Sequence, residues 1–193
     1  HPARDKFFHL LNKYKVIMSP GKHLNNSNLF VGERFANDWM FSKLEFQSQC
    51  KFSIAFENTT SPGYTTEKIL HAFISNTIPI YWGNPEVTKD FNPKSFINCH
   101  DFEDFEAVVE SIREVDNNDE LYLSILNEPP FVDNQIPEEL KRNKLTAFLQ
   151  NIFDQEKEKA NRRSFYGTSL KYENDLKKMV SLTQTMMQIP CPL

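Results

Sequence analysis

Two short apolar runs separated by a segment with helical periodicity constrain the fold of this chain most strongly. FSIAF occupies Phe52–Phe56 and IPIYW occupies Ile78–Trp82. Each run has the length and the continuous apolar character of a strand that is buried on both faces of a sheet. Between them, Thr65–Ser75 has the apolar spacing of an amphipathic helix. Strand, helix and strand in this order predict a parallel sheet with a helical crossover.

The same alternation continues on both sides of this unit. Further helices are predicted at Ala3–Tyr14, Phe35–Gln49, Asp101–Val115, Asp119–Asn127, Pro137–Lys159 and Tyr166–Gln188, and further strands at Lys15–Met18 and Phe96–Cys99. We therefore expect an α/β fold, with a Rossmann-like parallel sheet domain in residues 1–155 and a helical, partly basic C-terminal extension in residues 156–193.

Polar and charged residues gather where the first of these strands ends and its helix begins, in ENTTSPGYTTEKI. Parallel sheets bind ligands at the carboxyl ends of their strands, where the free N–H groups of helix N-termini favour anions. Thr65 or Thr66 is the predicted N-cap. Lys68 follows in the first turn, where a cation opposes the helix dipole by about 0.3–1 kcal/mol. A bound phosphate would reverse that effect. The alternative is an ordinary solvated turn, since no glycine-rich phosphate motif accompanies it.

Composition bounds the function from several sides. The net charge of −4 gives no general reason to expect a nucleic-acid partner, and no apolar run approaches the length of a membrane-spanning helix. Cys50, Cys99 and Cys191 form no metal-ligand or redox motif, so we interpret them as reduced thiols of a cytosolic protein. The opening HPARDKFF has neither an initiator methionine nor a signal-peptide pattern, which leads us to expect a piece of a longer protein.

The stretch FENTTSPGYTTEKILHAFISNTIPIYWGNP resembles the signature of the α1,3/4-fucosyltransferases, glycosyltransferase family 10. The family pattern runs Phe-Glu-Asn, Gly-Tyr, Thr-Glu-Lys and then a helix into Ile-Pro-Ile-Tyr-Trp-Gly. It is matched in order by Phe56–Asn58, Gly63 and Tyr64, Thr66–Lys68 and Ile78–Gly83. KDFNPKSFINCHDF, which follows, is similar to the bacterial members.

This resemblance implies the C-terminal half of a two-domain GT-B glycosyltransferase, which binds GDP-fucose as donor. Arg4, Asn58, Tyr64, Glu67 and Lys68 match the family positions that contact the donor. Arg4 and Lys68 would then neutralise the diphosphate and stabilise it as the leaving group. Glu67 would bind ribose or fucose hydroxyls, or face the developing oxocarbenium charge. Tyr64 would pack on the nucleotide sugar or hydrogen-bond to it.

The implied reaction is inverting α1,3-fucosyl transfer to the GlcNAc of an N-acetyllactosamine-type glycan, on lipopolysaccharide or in protein glycosylation. The family takes its catalytic base from the N-terminal, acceptor-binding domain. We therefore assign neither Glu57 nor Glu67 as base and expect this part alone to be inactive. No metal is expected, because helix capping explains the acids of Asp101–Asp104. A non-catalytic nucleotide-binding module and a GT-B transferase of another nucleotide sugar are the alternatives.

Basic residues of the tail are the last candidates. Arg162, Arg163, Lys171, Lys177 and Lys178 resemble the basic C-terminal segments of bacterial members, which implies peripheral contact with the cytoplasmic face of the inner membrane. A solvated helix that packs on the domain is the alternative.

For four other positions, a structural role and a functional role are the competing interpretations. Lys22 and Arg34 are weaker candidates for a phosphate contact. We interpret His71 and His100 as structural or surface histidines.

Overall fold

A computed structural model of the chain describes residues 2–32, 37–156 and 174–179. The chain divides into two compact units, residues 1–137 and 138–193, which are described separately. The helices and strands of the first unit are α1 (Pro2–Tyr14), α2 (Trp39–Gln47), β1 (Phe52–Phe56), α3 (Glu67–Ile74), β2 (Ile78–Trp82), β3 (Ile97–Asn98), α4 (Phe105–Asp116) and α5 (Asp119–Leu126). Short 3-10 helices lie at Val87–Lys89, Cys99–Asp101 and Val132–Asn134. In the second unit, a 3-10 helix at Glu138–Leu140 precedes α6 (Arg142–Phe153).

The strands that the structure describes form one parallel sheet in the order β1-β2-β3. Phe52 lies opposite Ile78 and Phe56 lies opposite Trp82, so β1 and β2 end side by side. The predicted parallel α/β sheet is therefore confirmed, and both strands have the predicted bounds.

Both faces of this sheet are largely buried, which explains why its strands are mostly apolar. Successive strand residues point to opposite faces. Phe56 and Ile80 belong to one core, which they share with residues of α1 and α4. Ala55 and Tyr81 belong to a second core, which contains a residue of α3. Helices thus cover the sheet on both sides, as a parallel sheet requires.

Helix α1 is anchored on the sheet by Phe7, whose side chain is fully buried. Its ring stacks on Phe56 at a centroid distance of 4.7 Å and meets the edge of Phe105 at 5.2 Å. Because Phe56 is the last residue of β1, this contact holds the N-terminal half of α1 near the carboxyl end of that strand. Arg4 lies one turn before Phe7 on the same helix.

The strand predicted at Lys15–Met18 is wrong. Instead of pairing with a neighbouring strand, the backbone here bonds to asparagine side chains. The Ile17 N–H donates to Asn12 Oδ1 at 2.9 Å, and the Ile17 carbonyl accepts from Asn26 Nδ2 at 2.6 Å. Local side chains therefore satisfy backbone groups that a ladder would otherwise use.

Several predicted helices are confirmed with different bounds. Helix α4 begins at Phe105 rather than at the predicted Asp101, because the Asp104 carboxylate caps it by accepting the Ala107 N–H at 2.8 Å. The described part of the helix predicted over Phe35–Gln49 starts at Trp39, and residues 33–36 lie outside the described residues.

In the second unit, the continuous helix predicted over Pro137–Lys159 is wrong. Lys141 has an extended backbone, with φ −69° and ψ 146°, and separates the short 3-10 helix from α6. Of the helix predicted over Tyr166–Gln188, residues 174–179 are described and are helical. The rest of that segment, with Arg162, Arg163 and Lys171 of the basic tail, lies outside the described residues.

Replacing Phe7 with alanine tests the anchoring of α1. We expect Phe7→Ala to lower the free energy of unfolding by about 3–5 kcal/mol, because it empties a fully enclosed aromatic site. Urea denaturation followed by circular dichroism measures the change. Phe41→Ala is the matched control, since the Phe41 side chain is 68% exposed and should cost far less. Equal losses in the two variants would contradict the packing described here.

Candidate functional site

The candidate site lies where β1 and β2 end side by side. Glu57 directly follows β1, and its N–H donates to the Trp82 carbonyl at 2.8 Å, which extends the strand pairing by one residue. The loop after Asn58 leads to α3, so the N-terminus of that helix opens at the same edge of the sheet. This is the position at which parallel sheets bind ligands.

The side chain of Glu57 organises the start of α3. It is fully buried. Its Oε1 accepts the Thr66 N–H at 2.7 Å, and its Oε2 accepts the Thr66 hydroxyl at 2.7 Å and the Lys68 ammonium at 3.0 Å. Thr66 is the N-cap residue, as predicted, but its side chain makes no capping bond. A carboxylate from the end of β1 caps the helix instead.

Lys68 therefore has an internal anion beside it. Its ammonium donates to the Thr66 hydroxyl at 2.9 Å as well as to Glu57, and the side chain is 19% exposed. Glu57 supplies the negative charge that the first turn needs, so the place of Lys68 does not by itself indicate a phosphate. These two bonds use two of the three N–H donors of an ammonium, which leaves one to offer to a ligand.

Glu67 lies beside Lys68 at the opening of the site. Its carboxylate is 3.6 Å from the Lys68 ammonium, and about half of the side chain is exposed. Burial by itself raises the pKa of Glu67. A hydrogen bond from its own backbone N–H and the charge of Lys68 lower the pKa by more than that, so the net shift is downward. Glu67 is thus ionised at neutral pH and can accept hydrogen bonds through both carboxylate oxygens.

Arg4 reaches this region from α1. Its Nη1 donates to Asn58 Oδ1 at 3.2 Å, across 54 residues of sequence. Tyr64 is half-buried in the loop between β1 and α3, where its N–H donates to the Ser61 carbonyl at 3.1 Å. The structure thus brings Arg4 to Asn58, and it brings Lys68 to both Glu57 and Glu67. Both groups adjoin the end of β1, because Glu57 and Asn58 are consecutive.

Sequence reasoning missed Asn84, which fixes the loop that carries Tyr64. Asn84 is buried, and its Oδ1 accepts the Gly63 N–H at 2.9 Å while its Nδ2 donates to the Thr65 hydroxyl at 3.0 Å. The sequence signal is a polar residue directly after a buried strand and a glycine. Such a residue lies at the same edge of the sheet as Glu57.

Gly83 and His100 help to position Glu57. An added Cβ at Gly83 would come within 2.4 Å of the Glu57 Cγ, so only glycine fits beside this carboxylate. His100 Nε2 accepts the Gly83 N–H at 3.2 Å, and its ring stacks against Trp82. Burial lowers the pKa of His100, which keeps the ring neutral and able to accept.

Lys22 and Arg34 are the remaining candidates for a phosphate contact. Lys22 lines a cavity of about 690 Å³ that Arg4 also lines, while Arg34 lies outside the described residues. Within residues 2–32, 37–156 and 174–179, no group of three or more His, Cys, Asp or Glu side chains could hold a metal ion. In the same part of the chain, no helix is both long and apolar enough to span a membrane.

Comparison with known families agrees with this geometry. Residues 1–129 match the model of the glycosyltransferase family 10 (fucosyltransferase) C-terminal domain. The chain belongs to glycosyltransferase family 10. The resemblance noted in the sequence is thereby confirmed. The matched residues include those described above for the candidate site, from Arg4 to His100.

Family 10 relatives show the same correspondence. An alpha-(1,3)-fucosyltransferase of Helicobacter pylori is 40% identical over 157 residues, which are 79% of this chain and 31% of that protein. A crystal structure of an alpha1,3-fucosyltransferase with GDP-fucose matches with a TM-score of 0.69 and 36% identity, over 86% of this chain and 46% of the other. A crystal structure of an alpha1,3-fucosyltransferase with GDP matches with a TM-score of 0.70 and 38% identity, over 80% of this chain and 44% of the other. This family 10 chain thus spans about a third of the curated relative's length.

Replacing Gly83 tests the close approach to Glu57. We expect Gly83→Ala to lower the free energy of unfolding by about 1–3 kcal/mol, because the new methyl group overlaps the Glu57 side chain. Gly21→Ala is the matched control, since an added Cβ there meets nothing within 4 Å. Chemical denaturation measures both variants. A Gly83→Ala protein as stable as Gly21→Ala would show that Glu57 is not packed as described.

The pair of Glu57 and Lys68 gives a second test. Lys68→Met leaves a buried carboxylate without its cation, and we expect a loss of up to about 3–5 kcal/mol in unfolding free energy. The double variant Glu57→Gln with Lys68→Met should lose less than the sum of the two single variants, because the charges act as a pair. Denaturation of the four proteins gives this coupling energy, and additive losses would contradict the pairing.

Proposed function

We propose that this chain is the GDP-fucose-binding half of an inverting α1,3-fucosyltransferase, with Arg4, Asn58, Tyr64, Glu67 and Lys68 in contact with the donor. The donor domain is proposed to comprise residues 1–155, with residues 156–193 as an extension. The family match and the relatives named above support the donor class.

The observation that carries the proposal is the meeting of Arg4 and Asn58 at the end of β1, beside the start of α3. A guanidinium has five N–H donors, and one bond to Asn58 leaves others that can bind phosphate oxygens. The N-terminus of α3 adds backbone dipoles that favour an anion. These groups come from segments 54 residues apart, and the Arg4 side chain is exposed, so a ligand can reach its guanidinium.

In the proposed reaction, the acceptor hydroxyl attacks the anomeric carbon of fucose while the bond to GDP breaks. Negative charge grows on the diphosphate as it leaves, and fixed cations that face it lower the barrier. Arg4 and the remaining N–H of Lys68 are proposed for this role. Glu67, which is ionised, would hold ribose or fucose hydroxyls or stabilise the positive charge that develops on the sugar.

The catalytic base is proposed to come from an acceptor-binding domain outside this chain. Glu57 supports that assignment, because the structure gives its carboxylate three hydrogen-bond donors and no exposure to solvent. A general base must reach the proton that it removes. The proposed acceptor is the GlcNAc of an N-acetyllactosamine-type glycan.

A peripheral membrane contact at the cytoplasmic face remains a proposal for the basic tail. Lys177 and Lys178 lie on the helical residues 174–179, together with Asp175, which opposes their charge. Binding of the chain to anionic vesicles, with a Lys177→Gln, Lys178→Gln variant as control, tests it. Equal binding of the two proteins would contradict the contact.

GDP binding tests the proposed function directly. We expect GDP to raise the melting temperature of the chain, because a ligand that binds the folded state stabilises it. Arg4→Ala should weaken GDP binding by about 10- to 100-fold, the usual value for losing a hydrogen bond to a charged group. Arg4 is a cleaner probe than Lys68, since it is exposed and pairs with no buried carboxylate in the described residues.

Lys13→Ala is the control for Arg4→Ala, because it removes an exposed cation from the last turn of the same helix. GDP should bind more tightly than UDP or ADP. No stabilisation by millimolar GDP would contradict the donor assignment. Preference for UDP or ADP would indicate a transferase of another nucleotide sugar.

A further inference from the structure

Lys43 brings a further cation toward the candidate site from α2. It lines the same cavity of about 690 Å³ as Arg4 and Lys22, beside the edge strand β1. No residue of α2 belongs to the sequence motif that indicated a donor site. The position of Lys43 therefore calls for an explanation of its own.

His71 holds the ammonium of Lys43 in place. Lys43 Nζ lies 3.0 Å from His71 Nδ1, which joins α2 to α3. An ammonium can only donate, so Nδ1 accepts and the ring is neutral with its proton on Nε2. Burial, and then the charge of Lys43, lower the pKa of His71, which agrees with a neutral ring. His71 is 5% exposed, so it has little freedom to move.

This contact puts the Lys43 charge beside the first turns of α3. His71 is four residues after Glu67 and three after Lys68, and such positions share one face of a helix. Lys43 interacts electrostatically with Glu67 and Lys68. Burial lowers the pKa of Lys43, and Glu67 opposes that shift. The imidazole is neutral, so the negative charges that act on Lys43 come from Glu67 and Glu57, which lie at the start of α3.

We propose that Lys43 is a further phosphate-binding cation of the donor site and that His71 is its positioning residue. This inference rests on the proposed function, and the ligand group is the diphosphate of a nucleoside diphosphate. Glu57 already offsets the charge of Lys68, so Arg4 and Lys68 together face the diphosphate with less than two free positive charges. Lys43 makes up that difference from the cavity side, with the N–H donors that His71 does not use.

Affinities for GDP and guanosine separate a phosphate contact from a structural role. We expect Lys43→Met to weaken GDP binding by about 10- to 100-fold and to leave guanosine binding unchanged, because guanosine carries no phosphate. Lys13→Met, at an exposed position of α1, is the matched control and should change neither affinity. Lys43→Arg, which keeps the charge, should recover part of the GDP affinity. NMR-detected titration of the chain measures all of these.

His71→Phe tests the positioning role, since it keeps an aromatic ring and removes the acceptor. It should weaken GDP binding in the same direction. Added to Lys43→Met, it should cause no further loss, because it acts through Lys43. Unchanged GDP affinity in His71→Phe would overturn the role given to His71.

Two outcomes would overturn the role of Lys43. One is GDP affinity in Lys43→Met equal to that of the unsubstituted chain. The other is an equal loss of GDP and guanosine affinity, which indicates a structural lysine. Lys43→Gln carries the same test if Lys43→Met does not fold. Failure of the unsubstituted chain to bind GDP would instead overturn the proposed function itself, and the two failures are therefore distinguishable.

Discussion

The buried carboxylate of Glu57 is the interaction on which the candidate site depends. It joins the end of β1 to the start of α3, because it accepts the Thr66 N–H and the Lys68 ammonium within a fully enclosed position. A buried charge is costly unless it is paired and fully hydrogen-bonded, and Glu57 meets both conditions. The contribution of Glu57 is geometric, because its contacts fix where the first turn of α3 begins and where Lys68 lies.

Other parts of the fold hold Glu57 in its place. Gly83 gives its side chain room, and His100 accepts the N–H of that glycine. Asn84, the next residue, ties down the loop between β1 and α3. On the other side of the sheet, Phe7 stacks on the last residue of β1 and so brings Arg4 within reach of Asn58. Residues outside the proposed set of donor contacts thus hold the proposed contact residues in place.

Much of the fold could be predicted from the sequence because it depends on local pattern. Apart from Ser53, the residues of FSIAF and IPIYW are apolar on both faces of the sheet, and runs of this length and composition favour strands that are buried on both sides. Lys15–Met18 has a similar composition, but the side chains of Asn12 and Asn26, which lie outside that run, take its backbone hydrogen bonds. The break at Lys141 likewise has no proline or glycine to signal it.

The site was predictable only in part, for a related reason. Lys68 stood out as a cation in the first turn of a helix, and a ligand was one explanation for it. Its partner, Glu57, precedes it by 11 residues, and the complete burial of that carboxylate cannot be read from a loop rich in polar residues. The contact of Lys43 with His71 joins two helices and spans 28 residues of sequence, so no local pattern in the sequence indicates it. Arg4 was found through family resemblance rather than through any local pattern.

A crystal structure of the chain with GDP tests most directly whether the edge that Glu57 organises is the donor site. If it is, phosphate oxygens lie within about 2.7–3.2 Å of the Lys68 ammonium and the Arg4 guanidinium, while Glu57 keeps its bonds to Thr66 and Lys68. A diphosphate bound away from the end of β1, or a Glu57 side chain released from Thr66 in the complex, would contradict it.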